Sequence, residues 1–525
     1  MKTSLFYCII PWLFFFLYFY KVFPHNKQKG GGKMSGKTQD YKNNNISGNL
    51  SEDLLTFRNI FNKDASFRIK EIKARKNVPI DCALLYLDGM VDSTQLNEAV
   101  IKPILTVEVP FNAQNLADYV GTQILFARDV KKTSNVAKIL EGILYGEALI
   151  LIENSPVALM VDVKGWRTRG VSEPQDERVL QGPREGFDEA ALLNVALVRR
   201  KLQTPDFCAE TLRVGRRSAT LVFVCYLDSL VDKNIVKELK KRIKQIDIDG
   251  ILDSNYICEQ IRDNKYSLFK TIGTTERPDI VAARLLEGRV ALIVDGTPVV
   301  LTVPYLFSEN FQSDEDYYLN FLITSFNRCL RYICFIISIT IPAVFVALST
   351  FHRELLPTTF AITVAKLRSG VPFSPLSECI VLIFVFEILK ETGVRMPQSL
   401  GHALSIVGGL VVGQAAVEAN IISTPMLIVI ALSGITGLMV PRLNEAVFYL
   451  RVAFVFAGAF FGLYGVVALG FAVVFHILSL TTFSVDYTLS LKSATTQSLK
   501  DTFWRASWSS MFKRPLFNKN KIRKG

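Results

Sequence analysis

The sequence predicts an α+β membrane protein, in which a cytoplasmic domain of two repeated α/β subdomains precedes a polytopic α-helical transmembrane domain. Three observations predict this fold class. The chain is rich in charged residues from about Glu52 to Tyr318. From about Arg331 to Leu480 it has long apolar runs, several near the roughly 20 residues that a membrane-spanning helix needs. Short strings in the charged half also recur once further along the chain, as expected of a duplicated subdomain.

The recurring strings define the two subdomains. Tyr86-Leu87-Asp88 returns as Tyr226-Leu227-Asp228, and Gly146–Pro156 parallels Gly288–Pro298. The boundaries that follow are 53–170 for the first subdomain, 171–205 for a connector with its helix, and 206–320 for the second subdomain.

Each copy combines strand-like apolar runs with helical patterns. A β-hairpin is predicted late in each copy, because Asn154-Ser155-Pro156 and Asp295-Gly296 are turn residues between apolar runs. A helix is predicted over Asn234–Ile246 from its apolar spacing. Another is predicted near Asp188–Leu202, with Asp188 as its N-cap.

The first 52 residues are predicted to lie outside these subdomains. Ser4–Phe23 is apolar, and three readings of residues 1–33 stay open: a membrane anchor, an uncleaved signal, or an untranslated stretch before a true start at Met34. Residues 34–52 are predicted to form a disordered polar linker. Gly31 to Thr38 formally matches a phosphate-binding loop, but neither the preceding strand nor the following helix that such a loop needs is indicated.

The charge distribution argues for a membrane protein and against a nucleic-acid-binding one. The formal net charge is +12, and much of the excess lies at the two ends and beside the apolar runs. Arg328 and Arg331 precede the first run, and residues 484–525 form a basic tail. Under the positive-inside rule, the soluble domain and the tail are both cytoplasmic.

The sequence gives no positive case for an enzyme, a metal or a cofactor. No histidine occurs between Asn26 and Phe351, and none of the common catalytic motifs is found. The eight cysteines include no CxxC pair, which suits a reduced compartment, and the four histidines are too dispersed to suggest zinc. Catalytic, cofactor-binding and metal-ligating residues are therefore predicted to be absent.

The transmembrane domain is predicted over residues 327–483, with four to six spans. Val447–Leu480 is too long for one crossing of a hydrocarbon core of roughly 30 Å, so a turn is predicted near Gly462–Gly465. Pro342 is expected to kink the first span. Six spans are favoured if Pro372–Lys390 crosses, and five if it lies at the interface. The candidate spans are Tyr332–Thr350, Pro372–Lys390, Ala403–Val417, Ile421–Val440 and Val447–Leu480.

Ionisable residues within these spans are costly and are candidates for function or structural pairing. The set is Glu378, Glu387, Glu418, Arg442, Glu445 and Arg451. Glu387 is the best pore candidate, because a ring of carboxylates suits cation passage. Glu445 is expected to pair with a nearby arginine. Two small-residue pairs suit close helix packing, either within the chain or between copies: Gly409 with Gly413, and Gly458 with Gly462.

Several strings make the chain resemble the A subunit of GerA-type spore germinant receptors. The resemblance covers roughly Asp81 to Leu480. The first two strings hold the residues Pro183, Arg184, Glu185 and Gly186, and Arg277, Pro278 and Asp279. Others are Glu354-Leu355-Leu356-Pro357, Val371-Pro372-Phe373 and Ser405–Val417.

The resemblance implies a subunit of a nutrient receptor in the spore inner membrane. Its expected partners are a transporter-like B subunit, a lipoprotein C subunit, membrane lipid and further copies of the chain. By oligomerising, the chain would form a nutrient-gated cation channel that triggers germination. The alternative is a secondary solute transporter of the cytoplasmic membrane, which the repeat in the soluble half disfavours, because transporters usually repeat their membrane half. A third hypothesis, a P-loop ATPase, depends wholly on Gly31 to Thr38.

Overall fold

The chain consists of two compact units, Met1–Trp166 with Leu202–Cys208 and Ala506–Gly525, and Arg167–Lys201 with Ala209–Arg505. The computed structural model describes residues 41, 44–74, 80–106, 116–127, 129–165, 174, 177, 179, 181–395, 413–489, 501–508, 511 and 514. The predicted apolar segment 1–33, the phosphate-loop match, Gly409 and most of the predicted span Ala403–Val417 lie outside these residues.

The first unit is built on a five-stranded sheet in the order β1-β2-β4-β5-β3, with antiparallel neighbours. Its strands are β1 Phe67–Ala74, β2 Ile80–Leu87, β3 Val130–Thr133, β4 Ala148–Ile152 and β5 Ala158–Val161. Its longer helices are α1 Leu50–Ile60 and α2 Val136–Leu144. Shorter helical segments are Ser93–Gln95, Leu96–Ile101, Lys102–Thr106, Leu116–Tyr119 and Val120–Ile124.

Both faces of this first sheet are covered. Leu84 belongs to a core that includes Val100 and Val120 of the short helical segments. Leu85 points to the opposite face, since side chains alternate along a strand, and it is also fully buried. Burying each such leucine contributes about 1.5–3 kcal/mol relative to leaving it exposed.

The predicted disordered linker of residues 34–52 is wrong for its last part. Asn45 forms a β-bridge with Asn135, and Ile46 is buried. Asn49 is the N-cap of α1, because its side chain accepts a hydrogen bond from the Ser51 N–H at 3.1 Å. These few apolar and capping residues are enough to join an otherwise polar stretch to the fold.

The second sheet, five-stranded in the order β6-β7-β9-β10-β8, repeats the strand order of the first. The register is antiparallel for β7 with β9, β9 with β10, and β10 with β8. All five residues of β9 are buried, and helices α3, α5 and α6 pack against this sheet. The elements are α3 Ala191–Lys201, β6 Phe207–Val214, β7 Thr220–Leu227, α4 Lys233–Lys244, α5 Ser254–Ile261, β8 Gly273–Thr275, α6 Pro278–Leu286, β9 Val290–Val294 and β10 Val300–Val303.

The predicted hairpin turns are found between β4 and β5 and between β9 and β10. Asn154 and Gly296 adopt positive φ values of 59° and 90°, as such turns require. The predicted N-cap of α3 is wrong, since the helix begins at Ala191 and not beside Asp188. The Ala191 N–H instead donates to Asp295 Oδ1 at 3.0 Å, so the second hairpin turn caps this helix.

Apolar helices follow the second sheet within the same unit. They are α7 Phe321–Thr350, α8 Thr358–Arg368, α9 Pro375–Arg395, α10 Thr424–Leu438 and α11 Asn444–Ser479. Among the described residues, two helices are long and apolar enough to cross a membrane, Phe321–Thr350 and Pro441–Ser479. The first begins before the predicted span because Asn320 caps it, its side chain accepting from the Leu322 N–H at 3.0 Å.

The predicted break in the last apolar run is found at Gly462. This residue has φ 61° and ψ −150°, which is not helical. A Cβ on Gly465 would collide with the carbonyl of Ala457, although an unbroken helix would separate these residues by about 12 Å. The chain therefore reverses at Gly462, and α11 is a helical hairpin.

The segment after this hairpin is partly packed into the fold. Strands β11 Thr481–Thr482 and β12 Val485–Asp486 form a small antiparallel pair. Tyr487 is fully buried, and Arg505 is 3% exposed. Part of the segment predicted as a basic tail, residues 484–525, is thus a structural element.

Gly458 offers a test of the helical hairpin. A Cβ at this position would lie 2.6 Å from the carbonyl oxygen of Ala343 in α7 and 3.3 Å from Val466. We predict that Gly458→Leu destabilises the protein by about 1–3 kcal/mol through overpacking. The measurement is the melting temperature of the purified protein in detergent.

Gly470→Leu is the matched control, because Gly470 lies in the same helical hairpin and a Cβ added there would meet no atom within 4 Å. Its melting temperature is expected to stay near that of the unaltered chain. Equal melting temperatures for both variants would contradict the close contact at Gly458.

Candidate site at the junction of the second sheet and the helices

A cluster of buried and partly buried charged residues lies where β10 leads into α7. We call it the charged junction, defined by Glu177, Glu309, Asp314, Asp316, Arg328, Arg331, Arg442 and Asp501. Two short 3₁₀ turns, Phe307–Phe311 and Asp314–Tyr317, supply several of its carboxylates.

Asp316 is the central carboxylate of the charged junction, and it is 1% exposed. Arg328 Nε donates to its Oδ2 at 2.7 Å. Arg331 donates to both of its oxygens at 2.9 Å. The two arginines are three residues apart and therefore lie on one face of α7. This pairing fixes the first turns of α7 against the chain that leaves the sheet.

The segment at residues 501–505 closes the same region. Arg328 Nη1 donates to Asp501 Oδ1 at 2.7 Å, so this guanidinium contacts two carboxylates. Arg505 Nη1 donates to the carbonyls of Asp316 and Leu319 at 2.7 and 2.8 Å. The C-terminal segment therefore holds both the 3₁₀ turn and the start of α7.

Arg442 joins the start of the helical hairpin to the same region. Its Nη2 donates to Asp314 Oδ1 at 3.0 Å and lies 3.3 Å from Glu177 Oε1. Its Nη1 donates to the carbonyls of Glu309 and Gln312, each at 3.2 Å. Burial and the neighbouring Asp314 carboxylate raise the pKa of Glu177, and Arg442 opposes that rise.

The residues of the family strings hold the connector against the second sheet. Arg277 is fully buried and donates to Asp279 Oδ2 at 2.8 Å and to the carbonyl of Pro183 at 3.0 Å. Pro278 is the first residue of α6, where its missing N–H leaves no hydrogen bond unmade. Glu185 pairs with Arg200 at 3.3 Å and Lys201 at 2.9 Å. Gly186 is buried, and Arg184 is exposed.

Arg451 belongs to a second polar cluster, inside the apolar helices. Pro342 has no N–H, so the carbonyl of Ser338 four residues earlier lacks its usual helical donor. Ser433 Oγ donates to this carbonyl at 2.7 Å and Arg451 Nε donates at 3.0 Å. Arg451 Nη2 also donates to the carbonyl of Ser433 at 3.1 Å. One buried guanidinium thus ties together α7, α10 and α11.

Glu378 is buried near the start of α9. Its Oε1 accepts hydrogen bonds from the N–H and the hydroxyl of Ser423, each at 2.5 Å. Arg368 Nη2 lies 3.3 Å from its Oε2. The arrangement joins the end of α8, the start of α9 and the residue before α10.

The other three ionisable candidates are more exposed. Glu387 pairs with Lys390 one turn along α9, and its side chain is 29% exposed. Glu418 is exposed and accepts from Gln414 Nε2 at 2.9 Å. The prediction that Glu445 pairs with an arginine is wrong: the Glu445 carboxylate lies 3.7 Å from Lys270 Nζ. The six candidates are therefore spread along the helices, and only Arg442 belongs to the charged junction.

The glycines of the small-residue pairs have different surroundings. Gly458 packs against Ala343 and Val466 of the same chain, as described above, and Gly462 is the turn of the helical hairpin. A Cβ on Gly413 would make only an ordinary contact with Leu427, at 3.8 Å. Its predicted partner Gly409 lies outside the described residues.

Sequence reasoning missed the acidic side of the charged junction. Asp314 and Asp316 are separated by one residue, directly before the first apolar run, and nothing in that pattern distinguishes them from a solvated turn. The spacing of Arg328 and Arg331 was the available signal, because two arginines on one face of an apolar helix need acceptors. Among the described residues, no group of three or more His, Cys, Asp or Glu side chains could hold a metal ion.

Asp316→Asn tests the charged junction. The change leaves the buried Arg328 and the partly buried Arg331 without their shared carboxylate, so we predict a loss of about 3–5 kcal/mol in the free energy of unfolding. The control is Asp247→Asn, which breaks a pair with Arg216 whose side chains are 69% and 62% exposed. The control should change stability little, because exposed pairs are screened by solvent. Similar unfolding curves for both variants would contradict the assigned role of Asp316.

A double-mutant cycle tests the cluster around Pro342. Arg451→Met should lower the free energy of unfolding by about 1–3 kcal/mol, because the buried carbonyls of Ser338 and Ser433 each lose a donor. In a Pro342→Ala background the backbone gains an N–H that can serve the Ser338 carbonyl, so Arg451→Met should cost less there. Strictly additive effects on the melting temperature would show that the two sites are independent.

Comparisons with known proteins give the family. The family model described as Bacillus/Clostridium GerA spore germination protein matches residues 55–517. Spore germination protein KA of Bacillus subtilis (strain 168) is 37% identical over 485 residues, covering 91% of this chain and 89% of the relative. Spore germination protein GerLA of Bacillus cereus is 33% identical over 481 residues, covering 91% of this chain and 97% of the relative.

One solved structure is also similar. It is the crystal structure of the N-terminal domain of the A subunit of the Bacillus megaterium spore germinant receptor GerK3, with 28% identity and a TM-score of 0.38. The match covers 50% of this chain and 98% of that one. On the extent of the family match and the identity to full-length relatives, the chain belongs to the GerA family of spore germination proteins.

Proposed function

We propose that this chain is the A subunit of a nutrient germinant receptor, which triggers spore germination by oligomerising into a nutrient-gated cation channel. The observation that carries the proposal is the extent of the family match. Residues 55–517 include both sheets, the charged junction and the apolar helices, so the likeness is not confined to one of these parts. The expected partners are a transporter-like B subunit and a lipoprotein C subunit.

The helices are assigned to the spore inner membrane. Phe321–Thr350 and Pro441–Ser479 are long and apolar enough to cross a membrane. The two ends of the helical hairpin both contact the loop between α5 and β8, since Glu445 pairs with Lys270 and Ser267 hydrogen-bonds to His476. An even number of crossings follows if the sheets and the basic C-terminal segment share the cytoplasmic side. Six crossings would use α7, α9, α10, both halves of α11 and the chain between α9 and α10.

The two sheets are assigned to a duplicated cytoplasmic domain. Their strand orders agree, β1-β2-β4-β5-β3 and β6-β7-β9-β10-β8. The recurring strings also fall on equivalent elements, Tyr86–Asp88 at the end of β2 and Tyr226–Asp228 at the end of β7. A duplicated domain offers two similar surfaces for contacts with other subunits.

The charged junction would couple the second sheet to the helices. The Arg442 side chain hydrogen-bonds both to Glu177 in the connector and to Asp314 in the turn before α7. A buried ion pair is strongly destabilised when one partner moves away, so such a cluster favours discrete arrangements over gradual ones. A change in the second sheet would therefore reach α7 and the helical hairpin together.

The cation path is assigned to a surface between copies that includes Glu387. This residue lies in the middle turns of α9, and its side chain is partly exposed beside Lys390. A carboxylate in an otherwise apolar helix is costly unless it is paired or faces water. A ring of such carboxylates, one from each copy, would attract cations.

Deletion of the gene in the source organism tests the receptor role. After nutrient addition, cation and dipicolinate release should be lost in single spores, whereas release triggered by pressure or lysozyme should persist. Unchanged release for every nutrient tested would contradict the proposal, and solute uptake by the same spores would then test the transporter alternative.

Glu387→Gln tests the assigned cation path. Restored to the deletion strain, this variant should reach normal abundance but release potassium several-fold more slowly after nutrient addition, because a neutral side chain attracts cations less. Glu445→Gln is the control, since that side chain is 77% exposed at a helix end. Equal release rates for the two variants would contradict a pore role for Glu387.

A further inference from the structure

One exposed loop of the second sheet domain combines apolar and basic side chains beside the apolar helices. It runs from Asn264 to Leu268, between α5 and β8. Tyr266 at its tip is fully exposed, and Leu268 is 41% exposed. Lys265 is exposed next to them. The loop therefore presents an aromatic ring, an aliphatic side chain and a cation together on its outer side.

The loop is fastened to the ends of the helical hairpin. Ser267 Oγ lies 3.2 Å from His476 Nε2, and Lys270 Nζ lies 3.7 Å from the carboxylate of Glu445. Asp263 Oδ2 accepts from the Phe483 N–H at 2.7 Å. Thr482 Oγ1 donates to the carbonyl of Thr271 at 2.8 Å. Contacts on both sides of Tyr266 thus fix the loop at the level where the hairpin begins and ends.

The apolar outer surface of the helical hairpin reaches that same level. Phe475 is 68% exposed and Leu478 is 38% exposed, on either side of His476 in the chain. If these side chains face lipid, the hydrocarbon boundary lies close to His476. Tyr266, next to the serine that bonds to this histidine, would then lie in the headgroup layer.

We propose that the loop Asn264–Leu268 is a membrane-interface anchor whose ligand is the phospholipid surface. Tyrosine is enriched at this depth because its ring is apolar and its hydroxyl is polar. Lys265 adds a cation for lipid phosphates, and Leu268 adds apolar area. The anchor would hold the second sheet domain against the bilayer beside the helical hairpin. This inference rests on the membrane assignment of the helices made above.

Site-directed spin labelling of the full-length chain tests the anchor. The chain is reconstituted in nanodiscs of phosphatidylethanolamine and phosphatidylglycerol, with Cys8 and Cys329 replaced by serine. Cys329 is exposed, whereas the other cysteines in the described part of the chain are buried. Single labels are placed at Tyr266→Cys, at Phe475→Cys and at Arg217→Cys, the last on a turn where the arginine side chain is 85% exposed.

The measured quantity is the accessibility of each label to oxygen relative to a water-soluble nickel reagent. The ratio should be highest at residue 475, lowest at 217 and intermediate at 266. A ratio at 266 equal to that at 217, with 475 still high, would overturn the anchor and leave the membrane assignment intact. A low ratio at 475 as well would overturn the membrane assignment itself. Shielding of residue 266 from both reagents would indicate a protein partner and would also overturn the lipid anchor.

Discussion

The arrangement of the second unit depends on the buried carboxylate of Asp316. A carboxylate taken out of water is destabilising by several kcal/mol unless donors replace its hydration. Here the guanidinium groups of Arg328 and Arg331 replace the lost water molecules. Their hydrogen bonds to Asp316 position the first long apolar helix. The segment at residues 501–505 completes the enclosure, so the chain that leaves the sheet, the helix and the C-terminal segment are fixed by one interaction network.

A second polar cluster holds three of the apolar helices together. Pro342 deprives the Ser338 carbonyl of its usual donor, and Arg451 and Ser433 supply new ones. An unpaired buried carbonyl would be costly, so the proline favours the contact between the three helices. The two clusters lie at different levels along α7. If the first turns of α7 move, the helix would therefore carry that movement to the second cluster.

Local features of the structure follow from local patterns in the sequence. Asn154, Gly296 and Gly462 mark chain reversals because each adopts a positive φ, and the apolar spacing of Asn234–Ile246 defines α4. Features that join distant residues could not be predicted in this way. The cap of α3 comes from Asp295, far along the chain, and the partner of Glu445 is Lys270. The acids of the charged junction were missed for the same reason, since one sequence shows which residues are charged and not which ones meet.

In the proposed receptor, the charged junction transmits a change between the second sheet and the helices. Hydrogen–deuterium exchange on the assembled receptor in membranes, with and without nutrient, measures this coupling at the junction itself. We predict that amide exchange over residues 306–320, which include both 3₁₀ turns, changes when nutrient is added to a responsive receptor. Unchanged exchange over these residues, in a receptor that still releases cations, would contradict it.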